Sequence, residues 1–325
     1  MFMISLGIES TAHTFGVGLI KDKKILANEL SIYRPKSGWG IIPLEAAKFH
    51  KSNADSIIEK AIEKAKIEIS DIDIISFSQG PGLPPCLKVG MEKAKYLAKK
   101  YKKPLIPVNH CIAHIEIGRF LTNAKDPVTV YVSGGNTQIL AFSEGRYRCF
   151  GETMDIGLGN ALDKVGREIG LEFPAGPKIE SLAKKGVWID LPYVVKGMDL
   201  SFSGIVTECI RRFKSGEKVE NICFSLQEVC FSMLTEVAER ALAHLGKKET
   251  LLTGGVAANK RLQEMLKIMC KERGAKFFVV PKEYSGDNGV MIAYTGMLVY
   301  KSQGKQKKID IMPAQRTDYV EVTWR

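Results

Sequence analysis

Apolar residues fall along this chain in two kinds of run. Short stretches rich in Val, Ile, Leu and Phe, bounded by Gly, Ser, Thr, Asn or Asp, read as strands; longer stretches with apolar positions three and four apart read as helices. The first kind occupies residues 3–8, 14–20 and 25–32, joined by a Gly7-Ile-Glu-Ser-Thr11 turn and a charged turn at Lys21-Asp22-Lys23-Lys24. A loop with Pro35, Gly38 and Gly40 covers residues 33–42. Pro43 then opens a long helix to about residue 66, whose Ala46, Phe49, Ala54, Ile57, Ile58, Ala61, Ile62 and Ala65 form one stripe. A strand at 73–78 runs into Gln79-Gly-Pro-Gly82, and a helix from about 86 to 101 follows. A strand at 104–108 and a helix from about 109 to 121 complete the order βββαβαβα.

The order then begins again. Strands at 128–132, 137–142 and 146–151 are joined by a Ser133-Gly134-Gly135-Asn136 turn and a Ser143-Glu144-Gly145 turn. After a helical insertion at about 158–214 come a helix at 221–245, a strand at 249–252, a helix at 256–273, a strand at 276–280 and a helix at 287–300. The end, Val320-Glu-Val-Thr-Trp-Arg325, alternates as a strand would. A repeated set of elements predicts an α/β protein of two lobes with a central nucleotide cleft, the duplicated fold of the actin, Hsp70 and sugar-kinase superfamily. The expected N-terminal lobe is residues 1–125, with 303–325 returning to it. The expected C-terminal lobe is 126–302, its helical insertion falling at about 155–217.

Composition adds less. The chain is 45% hydrophobic and 26% charged, as globular proteins are, and no apolar run approaches the roughly 18 residues that span a bilayer. Neither a basic region nor a signal core opens the N-terminus, so the expectation is a cytoplasmic protein without a membrane partner. Seven cysteines with no CxxC pair argue against a disulfide framework and against a cysteine zinc site. A net charge of +11, with lysines grouped at Lys93, Lys95, Lys99, Lys100, Lys102 and Lys103 and at Lys301, Lys305, Lys307 and Lys308, suits a polyanion such as nucleic acid. It equally suits the solvated surface of a heat-adapted protein.

Five places offer chemistry. Tyr131, Val132, Ser133, Gly134 and Gly135 put a phenol, a hydroxyl and a bare backbone turn at one strand end, either an ordinary hairpin or a site where backbone N–H groups meet an anion. His110 and His114, four apart on a helix, share a face and can reach one metal. The position after His110 is Cys111 where an HExxH metalloprotease carries its general base, and Glu116 is turned away from the shared face. Asp287, in Tyr284-Ser-Gly-Asp-Asn-Gly289, is either a metal-binding carboxylate or, with Ser285 as the other candidate, the cap of the last helix. Thr253-Gly-Gly-Val-Ala-Ala-Asn259 is a strand-to-helix turn or the seat of a nucleotide. Asp163 and Glu180, in the insertion, are surface carboxylates or grips for ribose hydroxyls.

Taken together these segments resemble one family, the universal tRNA threonylcarbamoyladenosine biosynthesis family. The pattern is that of the archaeal and eukaryotic kinase-associated KEOPS catalytic subunit, formerly labelled an O-sialoglycoprotein endopeptidase. The resemblance rests on Gly7-Ile-Glu-Ser-Thr11, Gln79-Gly-Pro-Gly82, Pro107-Val-Asn-His-Cys-Ile-Ala-His114, Tyr131-Val-Ser-Gly-Gly-Asn136 and Gly159-Asn-Ala-Leu-Asp163. Phe173-Pro-Ala-Gly-Pro177, Ser201-Phe-Ser-Gly204, Thr253-Gly-Gly-Val-Ala-Ala-Asn259 and Asp287 extend it over nearly the whole chain. It implies one metal ion, Fe2+ favoured with Zn2+ as the alternative, held by His110, His114, Tyr131 and Asp287. It also implies an adenylate, threonylcarbamoyl-AMP or ATP, on Tyr131, Val132, Ser133, Gly134, Gly135, Asp163, Gly176, Glu180 and Asn259. The implied partners are tRNA, a small KEOPS kinase subunit, separate or fused C-terminally, and the other KEOPS subunits. The chain departs from the pattern at Ile41-Ile-Pro-Leu-Glu45, where relatives carry His or Arg, and keeps only His50 of a histidine pair.

The implied reaction moves a threonylcarbamoyl group from threonylcarbamoyl-AMP to the exocyclic amine of the adenosine 3'-adjacent to the anticodon, in tRNAs reading ANN codons. It needs no nucleophile from the protein, and no convincing Ser/His/Asp or Cys/His set is visible. Rival expectations are an ATP-dependent sugar-kinase-like phosphotransferase, which normally has Asp where this chain has Glu9, and a metalloprotease, which lacks its base here.

Overall fold

A computed structural model of the chain describes residues 2–36, 39–306 and 309–325; Gly38, Lys307 and Lys308 of the sequence reading lie outside the described residues. The first half folds as β1 (Ile4–Glu9), β2 (Thr14–Lys21), β3 (Lys24–Ile32), α1 (Pro43–Ala65), β4 (Ile74–Gly80), α2 (Pro84–Tyr101), β5 (Leu105–Asn109) and α3 (His110–Thr122). The second opens with β6 (Val128–Val132), β7 (Thr137–Ser143) and β8 (Arg146–Glu152). Its insertion holds α4 (Leu158–Glu168), α5 (Gly176–Ala183), β9 (Val195–Lys196), β10 (Asp199–Leu200) and α6 (Ser203–Lys214). It continues with α7 (Val219–Leu245), β11 (Glu249–Thr253), α8 (Lys260–Glu272), β12 (Lys276–Val279), a single turn α9 (Lys282–Ser285) and α10 (Gly289–Gln303).

Two five-stranded sheets result, in the orders β3-β2-β1-β4-β5 and β12-β11-β6-β7-β8. Read from β8 inward, the second order is the first one repeated. Pairing repeats too: β1–β2–β3 and β6–β7–β8 are antiparallel meanders, while β1–β4–β5 and β6–β11–β12 are parallel. This is the duplicated α/β fold that the element order predicts.

The last helix of each half packs against the other half's sheet. α10 lies directly on the backbone of β1 and β2: a Cβ on Gly7 would fall 2.2 Å from the Ala293 nitrogen, and one on Gly18 would fall 2.1 Å from the Val290 nitrogen. α3 approaches β11 through Gly118, whose Cβ would come within 2.9 Å of Leu251. α3 and α10 also touch each other, and Ile106, Val108, Ala113, Ile117, Val290, Met291 and Ile292 make one buried cluster where they meet.

Four expectations are corrected. The insertion is not all helical: β9 and β10 form a two-stranded ribbon turning at Gly197, φ +62°. The helix expected over 256–273 starts only at Lys260, because Gly254 turns the chain at φ +98° and Asn259 caps α8, its Oδ1 accepting from the N–H groups of Arg261 and Leu262. The last helix begins at Gly289 and is capped by Asn288, which accepts from Met291 N, so neither Asp287 nor Ser285 is the cap. The tail is not a strand; after a 3-10 turn at Thr317–Tyr319 it meets β8 by one bridge, Arg146 with Glu321.

Candidate functional site

The ends of β1 and β6, the start of α3 and the loop ahead of α10 converge. Asn109 caps α3 by accepting from Ile112 N at 3.0 Å, which fixes where the helix starts and puts His110 in its first turn. His114 follows one turn later on the same face, the two ring centroids 4.7 Å apart at 84°. Because Asn288 caps α10, the Asp287 carboxylate is free to turn towards α3. Its Oδ1 lies 3.2 Å from His114 Nε2 and 3.5 Å from His110 Nε2.

These spacings fit a metal. Two donors bound at about 2.1 Å to one tetrahedral ion sit about 3.4 Å apart. The three ligand atoms lie within 4.8 Å of one another, and among the described residues they are the group of His, Cys, Asp and Glu side chains that meets this test. The Tyr131 ring leans on His114, centroids 5.0 Å apart, and its hydroxyl is buried with no hydrogen-bond partner. An orphaned buried hydroxyl costs about 1–3 kcal/mol. As a fourth donor beside two imidazoles and a carboxylate that hydroxyl would gain a partner, and such a mixed N/O set would suit iron or zinc alike.

A further carboxylate, which the sequence reading did not place in the site, sets the geometry. Glu9, the wholly buried last residue of β1, puts Oε2 2.9 Å from His110 Nδ1. Its Oε1 accepts both the backbone N–H and the hydroxyl of Thr11, each at 2.6 Å. Holding Nδ1 as the donor leaves Nε2 to face Asp287, the arrangement in which an outer carboxylate orients a histidine ligand. His50, on α1, supports the same turn by donating from Nε2 to the Ala12 carbonyl at 2.8 Å.

Charge follows from this geometry. Burial opposes protonation of His110, but the Glu9 and Asp287 carboxylates outweigh it and raise its pKa to about 9. Burial pushes His114 down, and neighbouring His110 adds to that against the pull of Asp287. Burial also opposes ionisation of Asp287, yet the two imidazoles hold its carboxyl below the usual range. Burial raises the Cys111 thiol to about 12, so it supplies no base next to His110.

Beside this cluster lies the glycine turn. The Ser133 and Gly134 carbonyls accept from the N–H groups of Gly159 and Asn160 at the start of α4, at 3.1 and 2.9 Å. Ser133 N donates to the Asn136 carbonyl and Asn136 N to Ser133 Oγ, closing the turn. Gly134 and Gly135 are exposed, and a Cβ on Gly135 would meet nothing. Neither glycine has a positive φ; the left-handed one is Gly254, whose Cβ would fall 2.2 Å from the Val132 carbonyl. Gly254 therefore exists to bring the end of β11 against the end of β6.

The remaining expected residues sit around the insertion and α8. Asp163 accepts from Ala175 N at 2.7 Å, Glu180 accepts from Lys260 N at 2.7 Å, and Gly176 faces open space. Asn259 is engaged on both sides, capping α8 and donating to Gln227 Oε1 at 2.7 Å. His13 in the β1–β2 turn meets Phe173 edge-on at 5.8 Å, so the first half touches the insertion here.

The two equivalent sheets give the chain a duplicated actin-like fold, with the His/His/Asp cluster where its halves meet. Solved structures agree on the fold. Full-length HypF in its phosphate- and nucleotide-bound form aligns with a TM-score of 0.62 at 12% identity, over 94% of this chain and 56% of that one. Component A of the Acidaminococcus fermentans (R)-2-hydroxyglutaryl-CoA dehydratase aligns at 0.56 and 14%, over 91% and 97%.

Sequence is more specific. The family profile for tRNA N6-adenosine threonylcarbamoyltransferase, TsaD, matches residues 24–294. A protein of that name from Archaeoglobus fulgidus is 55% identical over 99% of this chain and 100% of its own length. A bifunctional tRNA threonylcarbamoyladenosine biosynthesis protein of Methanocaldococcus jannaschii is 52% identical over 99% of this chain and 60% of its own length. The chain belongs to the tRNA N6-adenosine threonylcarbamoyltransferase family.

Proposed function

We propose that this chain transfers the threonylcarbamoyl group of threonylcarbamoyl-AMP to N6 of the adenosine 3'-adjacent to the anticodon, in tRNAs reading ANN codons, as the catalytic subunit of a KEOPS complex. The observation that carries the reading is the convergence of His110, His114 and Asp287 beside the β6 glycine turn, in a chain of this family. His110, His114, Tyr131 and Asp287 hold one ion, Fe2+ favoured and Zn2+ the alternative. That ion supplies Lewis-acid polarisation of the donor. Tyr131, Val132, Ser133, Gly134, Gly135, Asp163, Gly176, Glu180 and Asn259 form the adenylate site. Asn259 contributes through its backbone and the shape of the α8 cap, since its carboxamide is already engaged.

In the transfer, the adenosine amine attacks the carbamoyl carbon and the bond from that carbon to the AMP phosphate oxygen breaks. The electron pair leaves with AMP, and the amine proton passes to water or to the departing phosphate. The protein's own share is orientation and charge. Glu9 holds His110, the exposed backbone at Gly134 and Gly135 lies against the departing phosphate, and the acceptor base reaches the cleft splayed from a single-stranded loop.

The two lobes are residues 1–125, with 303–325 returning, and 126–302. Among the described residues no helix is long and apolar enough to cross a membrane. The proposed setting is the cytoplasm, with tRNA, a kinase subunit (separate or fused) and the other KEOPS subunits as partners. The test is transfer from threonylcarbamoyl-AMP to tRNA with and without the partner subunits, metal content being assayed in the same preparation. Transfer that requires the ion is expected; none under any condition would overturn the reading.

A further inference from the structure

Two features of the sequence have no part in that reading: Glu116, on the far face of α3 from the histidines, and the C-terminal tail. The structure joins them. Glu116 is 1% exposed and accepts from Tyr147 Oη at 2.5 Å, Arg119 Nη1 at 2.7 Å and Trp324 Nε1 at 3.0 Å. The tail leaves β4, where Met312 N donates to the Gln79 carbonyl and the Pro313 carbonyl accepts from Gly82 N, and then runs along α3.

The contacts follow in order. Gln315 Oε1 accepts from Nδ2 of Asn109, the cap of α3, at 3.1 Å. Val322 is buried in one cluster with Cys111, Ile112, Ile115 and Tyr131. Trp324 ends on Glu116, and the Arg325 guanidinium covers the Phe142 ring at 4.1 Å. A cavity of about 180 Å³ lined by Asn109, Ile112, Gln315 and Trp324 lies between these points. The tail therefore holds α3 by discrete pins rather than by continuous contact.

We propose that the segment from Met312 to Arg325 is a strap that positions the ligand-bearing turn of α3. Its outer pins, on Asn109 and Glu116, bracket His110 and His114. Gln315 and Trp324 are positioning residues: neither touches substrate, and each acts through a residue of α3 just outside the histidine pair. Helix ends fray, and the capping side chain is what holds the first turn. Here that first turn carries His110, and the Gln315 contact holds the capping side chain itself in place. At the other end, the Trp324 N–H completes the set of donors on the buried Glu116 carboxylate.

The inference rests on the metal reading above, and its test separates the two. Gln315→Leu removes the acceptor, Gln315→Glu keeps one, and Trp324→Phe keeps the ring but loses the N–H. On the full chain, Fe2+ and Zn2+ affinity is measured by chelator competition, amide exchange over residues 110–116 by mass spectrometry, and Tm alongside. Gln315→Leu and Trp324→Phe should each weaken metal binding severalfold and speed α3 exchange, less than loss of a group bonded directly to a ligand would. Gln315→Glu should restore the parent affinity. Affinity within twofold of the parent and unchanged α3 exchange for both variants overturns the strap, whether or not Tm falls. If Trp324→Phe does not fold, the Gln315 pair decides. A parent chain that binds neither ion overturns the metal reading instead, and α3 exchange alone then judges the strap.

Discussion

The turn after β1 and the turn after β6 occupy the same place in the two copies of one topology, yet they are built oppositely. The first, Glu9 to Thr11, is filled with side chains and buried; its carboxylate, hydroxyl and N–H close on each other and on His110. The second, Ser133 to Asn136, carries two exposed glycines and presents backbone. Duplication supplies two strand ends facing one cleft. Only one of them needs to hold a protein group still, and the other is left open for something that comes and goes.

The largest expected effect comes from removing what the first turn serves. His114→Ala should end retention of the ion and lower transfer by more than about a hundredfold, since loss of an outer-shell partner alone typically costs 10–100-fold. Metal analysis and the tRNA assay check both.

Glu9→Gln comes next. It keeps the shape of the turn and the acceptor for Thr11 but removes the charge facing His110, so metal affinity should fall about tenfold or more. The pH dependence of the metal-free chain gives a second measurement. His110 titrates near 9 in the fold against about 6.5 in the unfolded chain, so its stabilisation is full below pH 6.5 and is lost as pH rises to 9. His114, pushed down, works the other way, its share being present above 6.5 and lost as pH falls below that. The metal-free chain should be most stable near neutrality, by up to a few kcal/mol over pH 9. In Glu9→Gln the alkaline loss should shrink, as denaturant titrations across that window would reveal.

The glycines separate cleanly. Gly254→Ala meets both a left-handed φ and the Val132 carbonyl, and should cost about 2 kcal/mol or more, read from the shift in denaturation midpoint. Gly135→Ala has room and an ordinary φ, so stability should stay within about 0.5 kcal/mol. Adenylate binding, followed by calorimetry, should nevertheless weaken if the open turn is the cradle; unchanged binding would make it a plain hairpin.

What could be read in the sequence was what depends on neighbours along the chain. The meanders, the i,i+4 histidine pair and the glycine turns all announce themselves within a few residues. Glu9 did not, because its partner is 101 positions away and only the crossing of α3 near β1 brings them together. A signal was present: an acid directly after the apolar run of residues 4–8 continues a buried strand, and a buried acid needs a partner. The caps show the same limit at short range. Asp287, Asn288 and Ser285 are all competent caps by type, and Asn259 looked like part of a longer helix; backbone direction, set by tertiary contacts, decided between them. The tail failed for a related reason. Its alternation is real, with Val322 and Trp324 inward, but it makes one bridge to β8 instead of a ladder, and its inward side chains pack where α3 meets β6, β7 and β8.

The contact of α10 with bare backbone at Gly7 and Gly18 bears on manufacturing tolerance. At those two positions no strand side chain lies between the helix and the sheet, so nothing there absorbs a sliding error. Displacement of the helix by a single residue would carry Asp287 about 1.5 Å along the axis, whereas metal–ligand bonds hold to about 0.2 Å. Two glycines that meet the helix at Gly289, just after Asp287, thus act as a gauge block for the carboxylate, and a methyl group added at either one would be felt there.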